Sequence, residues 1–159
     1  ATTTCKSTDP PKYRMIPNIL IARVQAAELA HRCFNEQPFE WGRNDCAHLI
    51  ATVLTGLGYD NPLKDFRKYS TEAGAKRALL QKGFESVEDV LDQSLKLERI
   101  APAMTLPGDF VAIPGEGDTG HALGVVLDAD RVMAFCDLGQ GVRCEIGSLT
   151  AATFAWRSI

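Results

Sequence analysis

The sequence predicts an α+β fold, with helices first and an antiparallel sheet second. Two observations carry that prediction. Before Pro102, apolar residues recur at helical spacing in stretches bounded by capping residues and glycines. After Pro102 the chain turns to short runs rich in Val and Ile, separated by Gly, Asp and Pro, which is the texture of antiparallel strands. No internal repeat breaks this order, and 159 residues can bury the core of one domain without staples.

The elements follow in order. Residues 1–15 are polar, rich in Thr and Pro and without period, and read as an extended arm whose Tyr13 and Met15 could anchor a partner. Residues 16–159 read as a single domain. Pro17 suits the first turn of a helix, and Ile19, Leu20, Val24, Ala27 and Cys33 or Phe34 repeat behind it at helical spacing. "NEQPFEWGRN" is a loop. A second helix opens at Asn44 or Asp45, runs from about 45 to 57 and stops at Gly58. It carries Leu49, Ile50, Val53, Leu54 and Leu57, so it should be the most buried. "YDNPLKDFRKYS" is a long surface connection. Thr71 caps a third helix that ends at Gly83, and Ser86 caps a fourth with Val87, Val90, Leu91 and Leu95 on one face. "DFVAI", "HALGVVLD", "RVMAFCD", "GVRCEI" and "TFAWRSI" then make about five strands, with a tight turn at "DADR" and a Gly-rich loop, "GEGDTG", before His121.

Composition excludes some functions. The net charge is -3 with both signs interspersed, so no basic field points to nucleic acid. No apolar run reaches membrane-spanning length, and the N-terminal stretch has no signal-peptide core. Of the five cysteines, Cys136 and Cys144 could meet across a hairpin, but a pair of reduced thiols is the expected state. His31/Cys33 and Cys46/His48 lie two apart, and on a helix such positions point about 200° apart, so neither pair chelates a metal. No metal and no cofactor is expected.

The chemistry concentrates at "FEWGRNDCAHLIATVL". Asp45 is a good N-cap, which puts Cys46 in the first helical turn, where free backbone N–H groups and the helix dipole favour a thiolate. Arg43 offsets the charge of Asp45. The same N–H groups can serve an oxyanion. Among the histidines, His48 points off the other side of the helix and His31 sits among polar neighbours. His121 begins an apolar strand straight after the Gly-rich loop, where it would face a cleft. A Cys at a helix start and a His at a strand start, distant in sequence, is an arrangement of nucleophilic cysteine hydrolases.

"NDCAHLIATVL" resembles the Asp-Cys-Ser-Gly-Leu helix start of the NlpC-type cell-wall peptidases, papain-like enzymes related to the CHAP amidases. "LPGDFVAIP" resembles that family's Pro-Gly-Asp-Leu-Val-Phe-Phe strand, and "GHALGVVLDADRVMAF" resembles its Gly-His-Val-Gly-Ile-Tyr strand and return strand. The order is the family's, and the likeness covers roughly residues 39–159, less clearly at 59–105. With "FEWGRNDC", "LPGD" and the terminal "AWR", the pattern is also similar to small tail-associated proteins of phages and prophages of Gram-negative bacteria. The resemblance implies a papain-like fold, Cys46 as nucleophile and His121 as general base. It puts Asp45 at the start of the nucleophile helix, and Trp41 and Ala47 in the substrate and oxyanion region. It implies hydrolysis of amide bonds in peptidoglycan stem peptides, in a phage tail that is made in the bacterial cytoplasm and acts at the periplasmic cell wall.

This sequence departs from the family pattern at three points. Ala47-His48 replaces Ser-Gly. Two residues, not one, separate His121 from Gly124. The return strand, Val132 to Phe135, offers no polar residue to orient the histidine, so Asp137 or Cys136 is the expected orienter, with Asp137 first. Two functions of different kinds are therefore expected. One is a tail-associated cysteine peptidase or amidase. The other is a structural tail-tip adaptor on a degenerate peptidase fold, docking to tail hub proteins through its arm. A thiol-dependent acyltransferase is a remoter third.

Overall fold

The computed structural model describes residues 18–115 and 121–159. The expected arm, with Tyr13 and Met15, and most of the Gly-rich loop lie outside the described residues. The helices are α1 (Ile19–Phe34), α2 (Cys46–Gly56), α3 (Glu72–Gln81) and α4 (Val87–Asp89), which continues as a π-helical turn over Val90–Ser94. The strands are β1 (Arg99–Ile100), β2 (Phe110–Pro114), β3 (His121–Val126), β4 (Arg131–Asp137), β5 (Val142–Ser148) and β6 (Phe154–Trp156). They form one antiparallel sheet in the order β1-β6-β2-β3-β4-β5. The fold is α+β, as the sequence predicts. The sixth strand, β1, is additional: its two residues are too few to show a period of two, and it exists by pairing with Trp156 and Ala155.

Local chemistry sets the helix ends. The side chains of Asn18, Asp45, Thr71 and Ser86 each accept a backbone N–H of the following turn. Strand parity sets the core. Phe110, Leu123, Val125, Met133, Phe135, Cys144 and Trp156 face the helices and pack with Leu49, Ile50, Val53 and Leu54 of α2. A smaller cluster, Val111, Val126, Val132 and Ala155, covers the other face. The turn before β4 is held by the Asp128 carboxylate, which accepts from the N–H groups of Asp130 and Arg131.

The first helix buries a different stripe from the one its large apolar residues suggest. Arg23, Ala26, Ala27, Ala30 and Phe34 are buried, while Ile19, Leu20, Ile21 and Val24 are exposed. The alanines let α1 approach α2 closely. A Cβ placed on Gly56 would stand 3.3 Å from that of Ala26. Arg23 is buried because it has a partner: its guanidinium lies 2.7 Å from the Asp109 carboxylate. Asp109 also accepts from Arg157, from the Leu106 N–H and from both the N–H and the hydroxyl of Ser158. Arg23 in turn donates to the carbonyls of Pro107 and Ile159. The "LPGD" segment is therefore a clamp joining α1, the entry to β2 and the residues after β6.

Cys46, Cys136 and Cys144 are free thiols, and Cys33 is disulfide-bonded. In the β4–β5 register Cys144 faces Phe135 and Cys136 faces Arg143, so these two cysteines project to opposite faces. Among the described residues no helix is long and apolar enough to cross a membrane.

Candidate active site

Cys46 is the first residue of α2 and is half-buried against the main core. The loop before it is fixed by one carboxylate. Asp45, 1% exposed, caps the helix through the His48 N–H at 2.9 Å and takes a second bond from the Gly42 N–H at 2.9 Å. It also accepts the Tyr69 hydroxyl at 2.6 Å and holds His48 Nδ1 at 2.7 Å. Gly42 must be glycine. Its φ is +84°, and a Cβ there would lie 2.0 Å from the Tyr69 carbonyl oxygen. Burial alone would raise the Asp45 carboxyl, but the hydrogen bonds of His48 and Tyr69 and the His48 charge outweigh it and hold the carboxyl below its ordinary value.

The thiol differs from its sequence expectation. Burial and the neighbouring Asp45 charge push Cys46 up to about 12. The backbone N–H groups of Cys46 and Ala47 favour the thiolate, as a helix start should, but they are outweighed. Desolvation is the largest cause, because the half-buried thiol packs on the main core. Cys46 therefore rests as a neutral thiol.

His121 opens β3 on the helix-facing side of the sheet, in parity with Leu123 and Val125. Its Nδ1 lies 3.2 Å from a carboxylate oxygen of Glu88, on α4. Its ring stands edge-on to Phe154, 4.8 Å between centroids. The Glu88 charge also acts on the Cys46 thiol, so this carboxylate is electrostatically coupled to both residues. Nδ1 faces Glu88, and Nε2 is the ring nitrogen on the other side.

The carboxylate found against His121 is that of Glu88, not one from the return strand. Asp137 lies on the right face by parity, but it is at the exposed end of β4 and its carboxylate accepts from the Gly139 N–H at 2.8 Å. Cys136 faces the other side, opposite Arg143. A short polar side chain at a turn bonds its own backbone two residues on, and Asp137 makes that local bond. Trp41 is half-buried and edge-on to Phe39 at 4.7 Å, and Phe39 packs on Phe135 at 5.4 Å, so this aromatic stack ties the loop before Cys46 to β4. Ala47 contributes its backbone N–H in the first turn.

Behind His121 a second group fixes the sheet edge. Arg99 lies over the rings of Phe154 and Trp156, at 4.1 and 4.7 Å from their centroids. It is paired through two nitrogens with Asp92, which also accepts the Trp156 indole N–H. Sequence reasoning missed Glu88, Arg99 and Asp92, since nothing local marks "VED", "LDQ" or "ERI" as parts of a site. Among the described residues no three His, Cys, Asp or Glu side chains converge as a metal site.

The arrangement thus offers a thiol at a helix start, an imidazole on the same side of the sheet, and a carboxylate against the imidazole. Residues 22–158 match the family model described as Domain of unknown function (DUF6950). The chain belongs to the DUF6950 family. No curated protein and no solved structure matches it. In this DUF6950 domain both Cys46 and His121 fall within the matched residues.

Proposed function

We propose that the chain is a cysteine peptidase or amidase of papain-like, NlpC-type architecture, with Cys46 as nucleophile and His121 as general base. One observation carries this reading: His121 and Cys46 lie on the same side of the sheet, with the Glu88 carboxylate 3.2 Å from His121 Nδ1 and acting on the Cys46 thiol. Because Cys46 rests protonated, the attack begins with proton transfer from the thiol to His121 Nε2. The Sγ then bonds to the carbonyl carbon of the substrate amide, and the N–H groups of Cys46 and Ala47 can receive the oxyanion. His121 returns the proton to the departing amine and the C–N bond breaks, leaving a thioester. Water, giving its proton to His121, attacks the thioester and releases the acid, and the proton returns to the thiol.

The resemblance of "NDCAHLIATVL", "LPGDFVAIP" and "GHALGVVLD" supports peptidoglycan stem peptides as the substrate and a phage tail acting at the periplasmic cell wall as the setting. The test is digestion of purified Gram-negative peptidoglycan by wild type, Cys46→Ala and His121→Ala, with fragments resolved by mass spectrometry. Stem-peptide cleavage by wild type alone is the expected result. Folded variants and wild type that all leave the peptidoglycan intact would overturn it. The same burial that raises the thiol favours the second reading, a tail-tip adaptor that keeps the fold without the chemistry.

A further inference from the structure

A second constellation lies on the other side of α2. His48, Ala51, Thr52 and Thr55, on the face turned away from Cys46, line a cavity of about 1250 Å³ between α1, α2 and the connection that follows. That volume exceeds the range of roughly 300–1,000 Å³ usual for small-molecule pockets, so an extended ligand fits better. Among the described residues Arg32, Arg43, Lys64, Arg67 and Lys68 line it, against one carboxylate, Glu28. Charge of this sign is segregated here, because the whole chain carries -3. Lys64 and Arg43 make only loose exposed pairs, with Asp60 at 3.7 Å and Glu40 at 3.8 Å. Arg32, Arg67 and Lys68 have no side-chain partner among the described residues.

The backbone that carries Arg67 and Lys68 is anchored by its neighbours. Tyr69, beside Arg67 and Lys68, is tied to the buried Asp45, and Phe66 packs on Phe84. The same Asp45 holds His48 Nδ1 at 2.7 Å, so the His48 ring is fixed and its Nε2 has no partner among the described residues. Between the cations the lining is apolar, with Leu29, Leu63 and Phe66.

We propose that this groove binds an acidic peptide segment of a partner protein, its carboxylates on Arg32, Arg67 and Lys68 and its apolar side chains on Leu29, Leu63 and Phe66. The apolar lining and the net negative charge of the chain select a peptide over a nucleic acid, whose binding draws on phosphate contacts and a long-range basic field. The site is separate from Cys46 and does not depend on the peptidase reading.

The test is an NMR titration of the full isotope-labelled chain with a short synthetic peptide rich in glutamate and leucine. Saturable shifts at the His48 ring and at the Arg32 and Arg67 side chains are expected. Affinity should fall at least tenfold in an Arg32→Glu/Arg67→Glu variant and stay unchanged in Cys46→Ala. Absent or scattered shifts, an unchanged affinity in the charge-reversal variant, or tighter binding of a thymidine oligonucleotide at the same residues would each overturn the proposal.

Discussion

The Nδ1 atom of His121, on β3, lies 3.2 Å from a carboxylate oxygen of Glu88, on α4, although 33 residues separate the two. The carboxylate expected from the return strand is supplied instead by a helix that precedes the sheet. On the peptidase reading Glu88 is a positioning residue, because it acts through the imidazole and not on the substrate.

Glu88→Gln therefore removes the charge and keeps the shape. On the peptidase reading kcat falls about 10²-fold while KM changes little, because Glu88 acts on the base and not on the substrate. Glu88→Asp should restore part of the rate. Equal losses in Glu88→Gln and Glu88→Asp, or a change in KM rather than kcat, would leave Glu88 a structural contact only.

Asp45 links the loop before Cys46 to folding. Its carboxyl lies below the ordinary 3.8, so the unfolded chain takes up the proton first as pH falls. The stabilisation is complete above that ordinary value and is lost as pH drops through the folded one. Asp45→Ala removes the cap of α2 and strands the Tyr69 hydroxyl, at a cost of about 2–4 kcal/mol. Urea unfolding at neutral pH and at pH below 3.8 should show the difference between wild type and variant shrinking in acid. A constant difference would assign the effect to the cap geometry alone.

The thiol gives an independent check. With Cys46 up to about 12, its alkylation by iodoacetamide should climb about tenfold per pH unit from neutral pH upward, with no plateau near the free-cysteine value of about 8.5. Mass spectrometry of each cysteine peptide resolves it from Cys136 and Cys144. A plateau below neutral pH would mean that His121 already holds the proton at rest, and that the imidazolium outweighs burial.

What the sequence shows depends on whether the signal is local. Asp45, Thr71 and Ser86 announce their helices because a cap bonds within its own turn. The five longer strands are legible because alternation survives over several residues. Glu88 is silent, since its role comes from the packing of α4 against β3. The α1 stripe is misread for a related reason: alanines carry little hydrophobic signal, and Arg23 looks like a solvent residue until Asp109 is seen beside it. For Asp137, parity fixes only the face of the strand, and the bond from the Gly139 N–H is one that strand alternation does not announce.

The pair of Arg23 and Asp109 leads to the last prediction. Both side chains are almost fully buried, 2% and 0% exposed, and the carboxylate is shared with Arg157 and Ser158. Replacing such a pair by apolar groups can be neutral, whereas removing one partner leaves a charge stranded in the core. Asp109→Leu alone strands the Arg23 guanidinium and cuts the tie between α1 and the residues after β6, so it should cost about 3–5 kcal/mol. For a chain of 159 residues that corresponds to a Tm lower by roughly 10 °C. Arg23→Met combined with Asp109→Leu should recover a good part of the loss, because no unpaired guanidinium remains at position 23. Thermal and urea unfolding of the two single variants and the double variant test this. If the double variant is as unstable as the sum of the singles, the clamp works through the separate bonds of each residue to Pro107, Ser158 and Ile159 rather than through the ion pair.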